Sequence, residues 1–177
     1  MTAPVDVWRQ VADRWTEVRA QIGDSQWDAP TPCEGWTVRD LVDHLQWHAT
    51  ALGMMGADTE PGDDWTRVRA AFDAVLSDPA RLQGVVDDFG GMPKPDLAAF
   101  LIGDRLIHTW DLARAIRVDD SLPAEAVHAA LAGLQHAPAD FIRGRNPLGL
   151  PMMREPVEVP DDASDQDKLI AFSGRRP

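Results

Sequence analysis

The chain has a single cysteine, Cys33, no tyrosine, few basic residues and no long apolar run. Each shortage closes off a class of protein. One cysteine cannot form an intramolecular disulfide, so the fold must come from burial, and a reducing cytoplasm is the expected location. No stretch approaches the roughly 18 apolar residues of a membrane span. The opening "MTAPVDVWRQVADRW" lacks the basic start and apolar run of a secretion signal. Lysine and arginine total 17 against 29 acidic residues, a formal net charge of −12. Nucleic-acid affinity draws heavily on phosphate neutralisation, and anionic membranes attract basic segments. Neither partner is expected here. "RGR" at 143–145 and "RRP" at the end are too short to change this. There is also no phosphate-binding loop, dinucleotide fingerprint, nucleophile elbow or internal repeat. Only 155–159 reads as a short extended piece.

What is present is helical periodicity. A chain of 177 residues, 44% of them hydrophobic, suits one domain, residues 1–177, with a sizeable core. Trp8, Val11, Ala12, Trp15, Val18 and Ile22 form a stripe that predicts a helix over 4–22. Pro30, Pro32 and Gly35 interrupt the loop that follows. Thr37, with Asp40 three residues on, predicts a capping box opening a helix over 38–55. Further helices are expected over 63–77, 96–117 and 123–143, with a loop over 84–96 and a short amphipathic helix over 165–172. Pro123 starts the fifth helix and Gly144 is its expected stop. The helix over 96–117 is apolar nearly all round, which predicts a central, buried element. The class is all-α: four main helices with long loops and a short extra C-terminal helix.

That central helix carries an anomaly. Leu97, Leu101, Asp104, His108, Asp111 and Ala115 fall on one seam, at spacings of four and three. Three polar groups thus stand where a bundle wants core residues. Buried carboxylates need a partner or a metal. An Asp and a His one turn apart can grip the same ion. The helix over 38–55 offers His44 and His48, also four apart and on the apolar face. If the helices are neighbours, His44, Asp104 and His108 assemble a two-histidine, one-carboxylate site with open coordination positions. His48 is then a fourth ligand or a proton carrier beside the metal, and Asp111 orients His108. The plainer alternative is a buried hydrogen-bond network of the same groups. Cys33, with no base near it in sequence, reads as a packed thiol. His128 and His136 read as surface or interhelical residues. Trp36, Trp47 and Trp110 lie close to the motifs and serve equally as core or as pocket lining.

"WDAPTPCEGWTVRDLVDHL", then "DRLIHTWDLARA", then a closing "DQDKLIAFSGRRP", resemble the actinobacterial mycothiol-dependent maleylpyruvate isomerase-like proteins, of the DinB-like superfamily of metal-binding four-helix bundles. The resemblance spans nearly the whole chain. It implies a divalent metal, usually zinc, with nickel or iron as other occupants. The histidine of "VDHL" carries over to His44 and that of "LIHTWDLA" to His108. The acidic ligand falls on Asp104, where the isomerase pattern has a glutamate. The side chain is one methylene shorter, so the metal sits nearer this helix or a water intervenes. The resemblance also implies mycothiol or another low-molecular-weight thiol as cosubstrate and a small electrophilic substrate. A homodimer is one assembly such bundles adopt. The isomerases carry a further C-terminal domain that this sequence does not show, so their substrate is not carried over. The expectation is therefore a metal- and thiol-dependent S-transferase or isomerase. A metal-dependent small-molecule hydrolase and a non-enzymatic metal- or ligand-binding bundle are the alternatives.

Overall fold

A computed structural model describes residues 2–137, 142–144 and 153–177. Seven α-helices are named here: α1 Pro4–Arg19, α2 Val38–His44, α3 Trp47–Met54, α4 Trp65–Ser77, α5 Lys94–Ile116, α6 Ala124–His136 and α7 Asp165–Phe172. Helix α5 is the axis and packs against α1, α2 and α6, while α1 packs against α4 and α6. The all-α bundle is the expected class, and its central helix is the one whose apolar residues encircle it. From Leu101 to Ala113 every residue of α5 is buried except Asp104.

Helix α1 buries the predicted stripe from Trp8 to Val18 but ends at Arg19, so Ile22 lies beyond it and is only partly buried. Trp8, Val11, Ala12 and Val18 are fully enclosed. The Trp8 ring lies 4.5 Å from that of Phe72 and meets Trp65 edge-on at 5.7 Å, which ties α1 to α4. The capping box at α2 forms as its residue types require. Thr37 Oγ1 accepts from the Asp40 amide at 3.2 Å, and Asp40 Oδ2 accepts from the Thr37 amide at 2.8 Å.

Other boundaries also differ from expectation. The helix over 38–55 is two helices, broken at Leu45 and Gln46. There the backbone tightens into i→i+3 bonds, Gln46 to Asp43 and Ala49 to Gln46. Arg105 of α5 donates to the Leu45 carbonyl at 3.3 Å, a tertiary bond no local pattern encodes. The stretch 84–96 is not all loop. Val85–Val86 and Met92–Pro93 pair antiparallel as β1 and β2, and α5 begins directly after them. Helix α6 ends at His136, where Ala137 turns extended. Residues 138–141, within the predicted helix over 123–143, lie outside the described residues. The piece 155–159 forms no strand; its Val157 amide donates to Ala171 O of α7.

Helix α7 buries Leu169 and Ile170 fully and packs on α6. Beyond it the chain reverses at Gly174, whose φ is +85°. A β-carbon at this position would run into Arg154, so only glycine fits. The reversal brings Arg175 onto Asp111, near the C-terminal end of α5.

Candidate metal centre

His44 is the last residue of α2, and Asp104 and His108 lie one turn apart on α5. Packing of α2 on α5 brings the three together. His108 Nε2 is 3.5 Å from Asp104 Oδ1, and His44 Nε2 is 4.0 Å from Asp104 Oδ2. One ligand atom from each residue lies within 4.8 Å of the others. Two imidazole nitrogens and a carboxylate oxygen at this spacing suit a divalent cation of zinc type and leave coordination positions open. Trp36 covers the pair of rings. It stacks on His108 at 6.0 Å and tilts against His44 at 4.7 Å.

Each α5 group is held from behind. His108 Nδ1 lies 2.9 Å from Asp111 Oδ2. An imidazole that donates Nδ1–H to a carboxylate keeps Nε2 directed at the candidate site. Asp111, wholly buried, is gripped by Arg175. Its Nε lies 2.7 Å from Oδ1 and its Nη2 2.7 Å from Oδ2. On the other flank, His48 Nε2 lies 2.9 Å from Asp104 Oδ2, and Arg105 Nη2 lies 3.1 Å from His48 Nδ1. Arginine can only donate, so Nδ1 accepts and Nε2–H donates to Asp104. With both nitrogens engaged and no exposed surface, His48 is shaped to hold Asp104 in place. In this arrangement neither ring nitrogen carries a free lone pair. Arg105 itself is wedged between tryptophans, its guanidinium 4.5 Å from the Trp65 ring and 5.0 Å from Trp15.

These neighbours set the charges. Burial would raise the Asp104 pKa, but His108, His48 and His44 hold it well below the usual carboxylate range. Burial would lower the His108 pKa, but Asp104 and Asp111 lift it to about 10. Asp111, opposed by burial, is drawn down to about 2 by Arg175 and His108. Burial pushes His44 down to about 4 and His48 to about 3, so both are neutral at pH 7. His44 thus offers a free lone pair, whereas a cation must displace a proton from His108.

Cys33 lies in this centre, although nothing near it in sequence points there. Its Sγ is 3.3 Å from Asp111 Oδ2 and 3.2 Å from Arg175 Nη2. Cys33, His108 and Asp111 are also close enough to share an ion. The Arg175 guanidinium already lies against that carboxylate, so a second cation there would face a fixed positive charge. Sequence reasoning missed the roles of Arg105 and Arg175. Arg105 had a signal: it is a charge on an otherwise apolar face of the central helix. Arg175 had none toward Asp111, 64 residues away. Trp47 meets the His48 ring edge-on at 5.0 Å, whereas Trp110 is buried under Arg114. His128 and His136 stay on the surface, His128 3.6 Å from Asp165 and His136 bonded to its own helix at Ala132.

Comparison with known proteins agrees with this architecture. Two uncharacterized proteins from two strains of Mycobacterium tuberculosis, CDC 1551 / Oshkosh and H37Rv, are each 26% identical to the chain over 181 residues, covering 97% of both partners. No solved structure matches. The family model described as the mycothiol maleylpyruvate isomerase N-terminal domain matches residues 8–145, well over half of the chain and every residue of the centre except Arg175. The chain belongs to the mycothiol maleylpyruvate isomerase N-terminal domain family.

Proposed function

We propose that this protein is a divalent-metal enzyme that joins a low-molecular-weight thiol, mycothiol, to a small electrophile, as an S-transferase or isomerase. Family membership supports the thiol. The observation that carries the metal is the convergence of His44, Asp104 and His108, each with a donor atom facing the others. His44, Asp104 and His108 would hold the ion, zinc being the best match to the donor set. A metal bound there supplies Lewis acidity that stabilises a thiolate at neutral pH.

The chain's own residues do the rest. Asp111 keeps Nε2 of His108 aimed inward, and His48 keeps Asp104 from swinging away. Trp36 screens the two imidazoles from water on one side, which strengthens the electrostatics within. The thiol sulfur forms a bond to an electrophilic carbon of the substrate as that carbon's π bond opens, and the thiol proton passes to the neighbouring atom that receives the electron pair. If that proton is removed again and the C–S electron pair leaves with sulfur, the double bond re-forms as an isomer and the thiol is regenerated. The cytoplasm is the proposed location. Among the described residues no helix is long and apolar enough to cross a membrane.

The test is metal analysis of the purified protein beside His108→Ala, followed by mycothiol transfer to model electrophiles. About one zinc per chain, lost in the variant together with transfer, is the expected result. Turnover without added thiol would instead make it a hydrolase. Metal or ligand binding without turnover would make it a binding bundle. No metal in either protein would return the histidines and aspartates to a buried hydrogen-bond network.

A further inference from the structure

The C-terminal turn reaches the centre in a way that the three candidate ligands alone do not account for. Arg175 is nearly enclosed, its side chain 14% exposed, and all three of its guanidinium nitrogens are engaged. Nε and Nη2 close on Asp111 from Oδ1 to Oδ2, Nη1 donates to Ser173 O at 3.2 Å, and Nη2 also contacts Cys33 Sγ. Asp111 Oδ2 is the oxygen that faces His108 Nδ1. Two independent features build this approach. Gly174 takes a left-handed turn that leaves no room for a side chain, and the Arg175 amide donates back to Ile170 O at 3.2 Å. A bidentate clamp of this kind fixes the plane of a carboxylate, not only its charge.

We infer that Arg175 is a positioning residue of the centre: by clamping Asp111 it orients the His108 ring so that Nε2 faces His44 and Asp104. The inference rests on the reading of those three residues as a metal site. It makes the turn after α7 a working part of a centre whose other members lie between residues 33 and 111. A single-point ammonium can supply the charge but not the plane, so lysine should restore the function only in part. Loss of a group that orients a metal-binding histidine typically weakens metal affinity by about 10- to 100-fold.

The experiment compares wild type, Arg175→Met, Arg175→Lys and Asp111→Asn. Three quantities are read: zinc affinity by chelator competition, the visible spectrum of the cobalt-loaded protein, and the downfield Nδ1–H proton resonance of His108 in metal-free protein. Circular dichroism and melting temperature report folding alongside. The expected result is zinc binding weakened about 10- to 100-fold in Arg175→Met, an altered cobalt spectrum and loss of the Nδ1–H resonance. Arg175→Lys should fall between Arg175→Met and wild type. Wild-type zinc affinity, cobalt spectrum and resonance in a folded Arg175→Met, with only a lower melting temperature, would overturn the inference. If Arg175→Met does not fold, Arg175→Lys and Asp111→Asn decide by the same criteria. If the wild type itself binds no zinc, the metal reading fails, and the His108 resonance alone decides whether Arg175 orients that ring.

Discussion

His44, His48 and His108 all approach the one carboxylate of Asp104, at 4.0, 2.9 and 3.5 Å, yet their protons behave differently. Burial dominates for His44 and His48 and keeps them neutral. His108 is flanked by two carboxylates and keeps its proton. The consequence for stability follows from linkage. Below about pH 6.5 the unfolded chain protonates His44 and His48 while the folded protein resists until about 4 and 3, so stability falls with falling pH. Asp111, with its pKa drawn down to about 2, adds to this loss below its ordinary value. Above about 6.5 the folded protein holds the His108 proton up to about 10 while the unfolded chain releases it, so stability falls with rising pH. The metal-free protein should therefore show the centre's greatest contribution near pH 6.5. Saturating zinc should flatten the alkaline limb, because the folded state no longer holds that proton. Melting temperature against pH, with and without zinc, checks both limbs. A metal-free optimum well above pH 8 would contradict the charge arrangement. At this scale the candidate ligands were legible in the sequence, because polar residues on a core seam demand an explanation. The arginines that back them were not. Arg105 stands out as a charge on an apolar face, but nothing local names its partners His48 and Leu45, and Arg175 meets Asp111 only after the chain has folded.

The elements that carry these residues differ in how much they depend on their surroundings. Helix α2 is short and owes its start to the Thr37–Asp40 box. Thr37→Ala should cost about 1 kcal/mol, which in a chain of this size lowers the melting temperature by roughly 2–4 °C. Thr37→Ser should restore it, and thermal denaturation followed by circular dichroism measures both. The start of α2 was readable because a cap is a contact between residues three apart. The break after His44 was not. Periodicity over 38–55 is continuous, and what interrupts it is the tertiary bond from Arg105 to the Leu45 carbonyl. Likewise, the pairing of Val85–Val86 with Met92–Pro93 is too short to leave an alternating pattern.

For the molecule as a whole, stability lies in the packing around α5 and in the aromatic contact between α1 and α4. Trp8 is fully buried between Phe72 and Trp65, and its indole N–H reaches Arg69 O at 3.4 Å. Trp8→Ala should cost about 3–5 kcal/mol and lower the melting temperature on the order of 10 °C. Urea denaturation gives the free energy directly, and a loss below about 1 kcal/mol would mean that α1 repacks without the ring.

The amino-acid sequence by itself determined the class of fold, the central helix, the cap of α2 and the three candidate ligands. All of these depend on patterns within one helix, where position three or four residues along decides which groups share a face. The tertiary structure alone decided which of the five inward groups face one another, that His48 sits behind Asp104, and that Arg175 closes on Asp111. Those relations join residues 56 and 64 apart in the chain. No local periodicity records such a distance. They exist because burying the helices' apolar faces against α5 leaves these polar groups a single enclosed place in which to satisfy one another.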